Sequence, residues 1–481
     1  MADQSFLSRY HTRLKWAGLA VGCLAKFMSG SLFVFNAYED AIKYTFNFTA
    51  KEVQLQSSFL TVGSGLGFLP GMFYDRFGPQ WCSMIGLVLS LAAYLLIWST
   101  TKSILYYSSH SWLMAFYFFL SGLGFTFTYV VALNTNVINF PAKHRGKIVG
   151  LLSSFFAGSP SIFSSLYYHV IGKDDPKSAD SFSSLMLVFA VCFVIVDFLC
   201  MVFLRVNLQI EPSSNFIYSN DIQQKAREFS SVNKGFIDEN SSTNSTQNIQ
   251  NREDAVTAIS KSHELPCQDG TISLLKILLN VDYQLVTWVI SLAGVSSWVY
   301  TIALTQTTAA LGLASHDADI VLVIPIANAI TSFTIGIISD HFRKRLPRLV
   351  IILAGVTAFF ICQCLTVALA DRYAVLVTAS VFNGMGQAVV WSIAPALMSE
   401  MFSVKNLGRN WGITMLLSSL VGFASQEAFG ALYDAQISVP GEVYCYGMSC
   451  IRGGQAVALG ATVISMILCV ILYRRRKLFT K

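Results

Sequence analysis

Long apolar stretches alternate with short polar ones along almost the whole chain. A membrane-spanning helix needs about 20 mostly apolar residues, and twelve stretches come close to or exceed that length. Six precede and six follow a polar central segment, so the pattern predicts an all-α membrane protein with twelve transmembrane helices in two six-helix halves. The predicted helices cover residues 15–37, 53–74, 82–99, 112–138, 146–170, 182–204, 284–306, 320–338, 347–370, 373–398, 410–433 and 455–473.

Composition agrees with a membrane location. Of the 481 residues 54% are hydrophobic and 12% are charged, with a mean hydropathy of +0.54, whereas soluble domains carry about 25% charged residues. Loops rich in Lys and Arg stay in the cytoplasm. With an inside amino terminus, 25 of the 33 Lys and Arg residues fall on the inner side, 7 on the outer side, and one, Lys26, within a helix. We therefore expect a multi-pass protein with both termini cytoplasmic, in either the plasma membrane or a vacuolar or other internal membrane.

The pattern also divides the chain. We expect the central segment to be a mostly disordered cytoplasmic linker, because it is polar and partly low in complexity. The predicted regions are a cytoplasmic tail (1–14), a first bundle (15–204), the linker (205–273), a second bundle (274–473) and a basic tail (474–481).

Two outer loops carry candidate modifications. Cys445 and Cys450 share the loop between helices 11 and 12, where a local disulfide and two free thiols are both compatible with the sequence. Asn47, in Asn-Phe-Thr, lies in the first outer loop and is the one credible N-glycosylation acceptor.

Two sets of residues recur at nearly the same offset. Gly71 and Asp75, at the end of helix 2, recur 265 residues later as Gly336 and Asp340. Around the loop between helices 4 and 5, a second set recurs 262 residues later: Phe140, Lys143 and Gly150 become Phe402, Lys405 and Gly412. Both matches indicate that the second half duplicates the first, and duplicated halves are typical of secondary transporters.

The first loop, Gly71, Asp75, Arg76 and Gly78, resembles the signature loop of the major facilitator superfamily. A second set resembles the nodulin-like branch, which is similar to monocarboxylate-transporter-like proteins: Asn139-Phe140-Pro141, Arg145-Gly146, Gly150-Leu151-Leu152, Tyr433-Asp434 and the Cys445 to Cys450 loop.

The resemblance implies two bundles that rock about a central site lined by helices 1, 4, 7 and 10. It also implies that Asp75 and Arg76 bridge helix 2 to helix 11 and stabilise the state closed to the cytosol. The second loop departs from the family pattern because His341 replaces its second arginine. Its gating role is therefore open, and Arg343, Lys344 and Arg345 are the candidates to supply its charge.

Lys26 is the first candidate for chemistry. It lies about 17 Å from either end of helix 1 by helical rise, and a cation at that depth is costly unless it faces water, a partner or a ligand. The duplicated position, 265 residues later, is Ser291, so the charge does not belong to the repeated scaffold. We predict a substrate or coupling role; the alternatives are an ion pair with an intramembrane acid such as Asp197 and a hydrogen bond to a broken stretch of backbone.

Further candidates are polar or aromatic residues on the presumed cavity helices and acids within or near the helices. The predicted substrate-binding set is completed by Tyr129, Asn134, Trp298, Gln306, Asn383, Gln387 and Trp391, with hydrogen bonding between helices as the alternative. The acids that could take part in proton coupling are Glu39, Asp40, Asp197 and Glu427.

Neither a phosphate-binding loop nor a cluster of metal ligands is found in the sequence. We therefore expect no enzyme activity and no cofactor beyond a coupled proton. The hypothesis is a secondary active or facilitative carrier of a small organic solute, with a lean toward a monocarboxylate or other organic anion, acting as a monomer in the lipid bilayer without a nucleic-acid partner. The alternatives are a carrier for a neutral or cationic solute and a receptor or scaffold that keeps the carrier fold.

Overall fold

The structure is a computed structural model that describes residues 2–206, 274–343, 345–370, 372–402, 404–436 and 445–479. The chain divides into one unit of residues 1–207 and 278–481 and another of residues 208–277. Of the smaller unit, only residues 274–277 are described, as the start of the short helix Leu274–Leu278. The predicted linker disorder thus lies outside the described residues, and the following concerns the larger unit.

All regular elements of the described residues are helical, and we number the bundle helices α1 to α12. The first helix, α1, joins Ala2–Gly30 to Phe35–Phe46 through the 3₁₀ turn Ser31–Val34. The second, α2, joins Ala50–Gly65 to the part of Phe68–Thr100 before Gly78, and α3 is the remainder of that segment. The others are α4 (Ser111–Asn139), α5 (Arg145–Leu166), α6 (Ala179–Phe203), α7 (Val281–Ile302), α8 (Asp317–His341), α9 (Arg348–Leu369), α10 (Tyr373–Met401), α11 (Leu407–Asp434) and α12 (Met448–Phe479).

Eleven helical stretches of the described residues are long and apolar enough to cross a membrane. One of them, Lys51–Thr100, has 50 residues and reverses direction at Gly78, whose φ is 82°. Glycine adopts this backbone conformation without steric cost, and Pro79 follows in a first helical turn, where its missing N–H is tolerated. This stretch therefore contains two crossings, and the predicted twelve-helix fold is confirmed.

The structure extends α1 beyond the predicted boundary at residue 37, to Phe46. Residues 38–46 form an amphipathic helix: Tyr38, Ile42 and Phe46 are buried, whereas the charged Asp40 and Lys43 are exposed. Hydropathy falls where the charges begin, but the helix continues because one of its faces is still buried. The predicted tails are also helical where they are described, from Ala2 at one end and up to Phe479 at the other.

The middle of α1 is interrupted by the 3₁₀ turn Ser31–Val34. The residues before and within it, Ser29, Gly30 and Ser31, are poor helix formers, and a 3₁₀ stretch inside a helix is often a functional hinge. The turn begins five residues beyond Lys26 and carries Phe33.

The two halves meet along two helix pairs, α2 with α11 and α5 with α8. Glycines permit the close approach at both places. A Cβ atom added to Gly71 would collide with the carbonyl oxygen of Gly408, and one added to Gly336 would crowd that of Gly146. These contacts lie at the end of the bundle that carries the α2–α3, α4–α5, α8–α9 and α10–α11 loops. We call it the inner end, since the positions of the basic residues predict that it is cytoplasmic.

Candidate functional site

Lys26 lies in the middle of α1 and is 1% exposed. Its ammonium nitrogen is 3.0 Å from the centre of the Tyr129 ring on α4 and 5.5 Å from that of Phe156 on α5. Among the described residues no carboxylate oxygen lies within 4.0 Å of this nitrogen. The alternative ion pair with Asp197 is absent, because Asp197 instead accepts a hydrogen bond of 2.8 Å from the Thr128 hydroxyl. Within the described residues no carboxylate therefore neutralises Lys26.

Six aromatic side chains, one from each of six helices, form a closed circuit next to Lys26. Three rings come from the first half, and their centres are 5.6 Å apart for Tyr129 and Phe156 and 5.7 Å apart for Phe156 and Phe33. Phe33 then reaches across the halves to Trp298, at 6.4 Å. We call the six residues the aromatic circuit; they are Phe33 (α1), Tyr129 (α4), Phe156 (α5), Trp298 (α7), Trp391 (α10) and Trp411 (α11).

The second half closes the circuit. The rings of Trp391 and Trp411 are 6.0 Å apart, the indoles of Trp298 and Trp391 both approach Gly294, and the Tyr129 hydroxyl faces Trp411. Phe33 is 46% exposed although its ring lies between the two halves. The circuit is therefore not fully enclosed at Phe33.

Part of the aromatic circuit follows the duplication. Trp298 stands 265 residues after Phe33, and Trp391 stands 262 residues after Tyr129. These are the offsets of the two repeats found in the sequence. Two pairs of rings thus occupy equivalent positions, and each half contributes one member of each pair.

The two halves are not equivalent at the position of the Lys26 charge. Lys26 corresponds to Ser291, and Phe156, which stands beside Lys26, corresponds to Ser418. In the second half these two serines bond each other, with 2.9 Å between their hydroxyl oxygens. The first half thus has a cation beside an aromatic ring where the second half has a closed pair of hydroxyls.

One indole N–H group of the aromatic circuit lacks an acceptor. The Nε1 atom of Trp298 is buried and has no hydrogen-bond partner within the part of the chain that the structure describes, whereas Trp411 lies beside the Tyr129 hydroxyl. A buried donor without a partner costs about 1–3 kcal/mol, and such groups call for a bound water, ion or ligand. An indole and an ammonium can only donate hydrogen bonds, so these groups match a ligand that carries acceptor oxygens.

The predicted amides of α10 belong to a polar chain on the second half. Asn383 and Gln387 both donate to the Thr301 hydroxyl, at 3.2 Å each, and Asn328 on α8 donates to Gln387 at 3.1 Å. Ser332 continues the chain with a bond of 3.1 Å to Asn328. These amides are largely satisfied by one another; within the described residues the Asn383 oxygen has no partner.

The inner end is closed by two carboxylates in reciprocal positions. Asp75, in the last turn of α2, accepts from the backbone N–H groups of Gly408 and Arg409 at the start of α11, at 3.1 and 2.7 Å. Asp340, near the end of α8, accepts in the same way from the N–H groups of Gly146 and Lys147 at the start of α5, at 3.0 and 2.7 Å. Helix amino termini favour negative charge. We call these two contacts the first and second inner lock.

The two locks differ in their side-chain partners. In the second, Arg348 donates to Asp340 at 2.7 Å and lies 3.6 Å from Glu400, and Arg343 lies 3.0 Å from the same glutamate. In the first, Arg76 is exposed and lies 5.2 Å from the Phe77 ring, so Asp75 alone reaches α11. Of the three residues proposed to supply the second lock's charge, Arg343 takes part through Glu400, and Lys344 lies outside the described residues.

The remaining predicted residues lie away from the aromatic circuit. Asn134 is fully buried beside Gly408, at the first inner lock, and Gln306 is exposed on the separate short helix Leu304–Ala310. Asp40 pairs with Lys177 at 3.4 Å on the outer surface, and the carboxylate raises the pKa of Lys177 through its hydrogen bond and charge. Glu39 is half-buried beside Asp40, and Glu427 is exposed on α11.

Two outer features concern the predicted modifications. Cys445 and Cys450 form a disulfide in the structure, and both side chains are buried. Asn47 is exposed in a left-handed turn, φ 53°, directly after α1. The Thr49 hydroxyl of its acceptor pattern accepts from the N–H of Glu52 as the cap of α2, and glycosylation remains a prediction.

Sequence reasoning missed Phe33, Phe156, Trp411 and Arg348. The offset of 265 from Phe33 to Trp298 would have identified Phe33 once the duplication was recognised. Phe156 and Trp411 carry no such signal, because their duplicated positions are Ser418 and Val149. Arg348 falls within the predicted helix 347–370, but nothing in the sequence indicates that this basic residue is buried, as it is at the first position of α9.

Comparison with known families agrees with the geometry. Residues 15–231 match the family model described as Nodulin-like, and residues 286–480 match that of the Major Facilitator Superfamily. No curated protein sequence matches the chain.

Solved structures show the same fold. The chain is similar to the proton:xylose symporter XylE bound to 6-bromo-6-deoxy-D-glucose, with a TM-score of 0.64 and 14% identity over 95% of each chain. It is also similar to the transporter FucP in the outward conformation, with a TM-score of 0.58 and 15% identity over 94% of this chain and 98% of that one. A second structure of FucP, described as the E. coli fucose:proton symporter, gives a TM-score of 0.57 at 12% identity over the same shares.

Proposed function

Because the chain belongs to the major facilitator superfamily, with a nodulin-like first half, we propose that the small solute it transports is an organic anion, with monocarboxylates as the leading class. The anion would bind at Lys26 within the aromatic circuit and cross the membrane by alternating access, in which the two bundles rock about a central site.

The observation that carries this proposal is the unpaired charge of Lys26. A cation in the middle of a membrane bundle is costly, and the adjoining Tyr129 ring offsets only about 0.5–2 kcal/mol of that cost. A carboxylate would supply the missing charge and would also accept a hydrogen bond, which the Trp298 indole offers without a partner in the described residues.

The inner locks support the alternating-access part of the proposal. Both are formed, while Phe33, which lies farther from the inner end, is 46% exposed. This combination is that of an outward-facing carrier. Inward opening would require Asp75 and Asp340 to release the amino termini of α11 and α5.

The rival hypotheses predict different contacts. A carrier for a neutral or cationic solute would keep Lys26 in an ion pair, and no such pair exists among the described residues. A receptor with the same fold would bind the anion without exchanging it. Counterflow measurements separate a carrier from a receptor, because only a carrier exchanges labelled for unlabelled solute.

The test is counterflow in proteoliposomes containing the full chain, with labelled L-lactate, phenylacetate and D-xylose as probes. The variant is Lys26→Met, and the matched control is Lys102→Met, which removes an exposed cation that also lies near an aromatic ring, 5.4 Å from Trp98. Hydrogen bonds to charged groups contribute about 1.5–3 kcal/mol, so we expect Lys26→Met to weaken carboxylate exchange roughly tenfold to hundredfold and Lys102→Met to leave it unchanged.

A second variant, in which the charge is moved, shows whether any lost exchange in Lys26→Met comes from misfolding. The double variant Lys26→Ser with Ser291→Lys places a cation at the duplicated position, and we expect it to recover part of the carboxylate exchange. Wild-type exchange of carboxylates by Lys26→Met, or exchange of D-xylose alone, would contradict the proposal.

One observation favours proton coupling as an addition to this function. Asp197 is fully buried, and its second carboxylate oxygen has no partner in the described part of the chain. Its bond to Thr128 joins α6 to the residue that precedes Tyr129. If this acid carries the coupled proton, Asp197→Asn should abolish accumulation driven by a pH gradient and leave counterflow intact; equal accumulation in wild type and variant would exclude that role.

A further inference from the structure

We propose that the transported anion is a planar one, a carboxylate joined to an aromatic or similarly flat ring, with its carboxylate at Lys26 and its ring against the aromatic surface that Phe33 and Trp298 form together. This inference rests on the proposed function, because it names the substrate class of the same site. It adds that the uncharged part of the solute is a flat ring, which the charge of Lys26 alone does not determine.

The first argument is the arrangement of the aromatic rings in the two halves. Phe33 and Trp298 occupy duplicated positions and face each other across the halves, with 33° between their ring planes. Tyr129 and Trp391 form the second duplicated pair. A solute between the halves therefore meets aromatic surface from both bundles, and flat rings gain most from such surfaces through offset or edge-to-face packing.

The second argument is the one-sided charge. Lys26 precedes Phe33 by seven residues on α1, which corresponds to about 10 Å along the helix, and it lies toward the inner end. No cation exists at the duplicated position, which Ser291 occupies. The site is thus charged at one end and aromatic at the other, and a matching ligand has an anionic group and an apolar ring at opposite ends.

The third argument concerns the polar chain on α10. A polyhydroxylated solute needs many free donors and acceptors, whereas Asn383 and Gln387 already bond Thr301 and Asn328. The free donor lies among rings, at Trp298. Polar groups placed this way suit a ligand with few oxygens and much apolar surface.

The experiment compares three probes on the purified full-length chain by thermal stabilisation and tryptophan fluorescence. Phenylacetate is planar and anionic, cyclohexylacetate has the same charge and nearly the same size but a puckered ring, and phenylacetamide keeps the ring without the charge. Aromatic pairs add about 0.5–1.5 kcal/mol beyond area, and more than one ring faces the ligand. We expect phenylacetate to bind about tenfold more tightly than cyclohexylacetate.

Two variants on α7 test whether Trp298 causes the preference for phenylacetate over cyclohexylacetate. Trp298→Leu should reduce the preference for phenylacetate over cyclohexylacetate to less than about twofold, because it removes part of the aromatic surface on which the ligand's ring would pack. Trp288→Leu is the matched control, since Trp288 is on the same helix but is exposed, 39%, and takes no part in the aromatic circuit. Equal far-UV circular dichroism and melting midpoints of the two variants would show that both fold.

The outcomes separate the two proposals. Equal binding of phenylacetate and cyclohexylacetate, with both lost in Lys26→Met, would overturn the planar-ring inference and leave the anion carrier standing. Equal binding of phenylacetamide and phenylacetate, unchanged in Lys26→Met, would overturn both. Failure of all three probes to bind would overturn the inference, and L-lactate counterflow would then decide the proposed function separately.

Discussion

The inner locks and the aromatic circuit are built from duplicated positions, but they preserve the duplication to different degrees. At the inner end, Asp75 and Asp340 each accept from two backbone N–H groups of the opposite half, with nearly equal distances. In the centre, two ring pairs are duplicated while Lys26 has no counterpart. The backbone contacts of the two inner locks are equivalent, whereas the charge at the centre belongs to the first half alone.

The difference follows from what each region must do. Closing the inner end brings the two halves together along equivalent helices, so equivalent contacts serve both sides of the pseudo-two-fold axis. A solute with one charged end has no such symmetry, and a site that matches it needs its charge on one side only. Breaks in an internal repeat are therefore where substrate-specific residues are best sought.

The largest effect should come from Asp340→Asn. This change leaves the buried Arg348, which bonds Asp340 at 2.7 Å, without its main counter-charge, and breaking one side of a buried pair costs about 3–5 kcal/mol. We expect the inner end to open and the amide N–H groups of Gly146 and Lys147 to lose protection in hydrogen–deuterium exchange. Unchanged protection at these two amides would show that the second lock does not hold the inner end closed.

Asp75→Asn should have a smaller effect of the same kind. It removes the charge that faces the N–H groups of Gly408 and Arg409, and the Arg409 guanidinium, which is only partly buried, forms no ion pair with Asp75 among the described residues. The expected cost is about 1.5–3 kcal/mol, that of weakening a charge-assisted hydrogen bond, read as lost protection at those two amides. A larger effect than that of Asp340→Asn would mean that the buried Arg348 pair is not what distinguishes the locks.

The sequence predicted the scaffold well because its signals are periodic and redundant. Twelve apolar stretches, a bias of basic residues and two repeats all pointed to the same twelve-helix fold. The break in α1 at Ser31–Val34 and the turn at Gly78 needed backbone conformation to be placed. Helix ends such as Phe46 were misjudged, because hydropathy marks the membrane rather than the helix.

The candidate site was predictable only in part. Lys26 stood out because charge is rare in a membrane helix, and Tyr129, Trp298 and Trp391 were selected by type and helix. Phe156 and Trp411 could not be selected, since 13% of the chain is aromatic and no pattern shows which rings face one another. Asn134 was assigned to the substrate, but only the packing of α4 against α11 shows that it lies at the first lock.

A third prediction tests the close packing beneath the first lock. In Gly71→Ala the new methyl group would collide with the Gly408 carbonyl, and overpacking of this kind costs about 1–3 kcal/mol. Gly158→Ala is the control, because Gly158 belongs to the other interhalf helix pair and its added Cβ would make an ordinary contact of 3.9 Å with Ala329. We expect a lower melting midpoint and faster exchange at Gly408 only in Gly71→Ala; equal behaviour of the two variants would contradict the packing argument.

The smallest effect concerns the second-half counterpart of Lys26. Ser291 and Ser418 are buried and bond each other, with 2.9 Å between their hydroxyl oxygens. A neutral hydrogen bond contributes about 0.5–1.5 kcal/mol. We expect Ser291→Ala to lower the melting midpoint slightly and the double variant with Ser418→Ala to lower it no further, because removing both hydroxyls leaves neither unpaired. Phenylacetate binding should stay within about twofold of wild type in both variants, in contrast to Lys26→Met. A loss of binding as large as that caused by Lys26→Met would place the serine pair in the ligand site, and the charge asymmetry would then no longer explain why the repeat fails there.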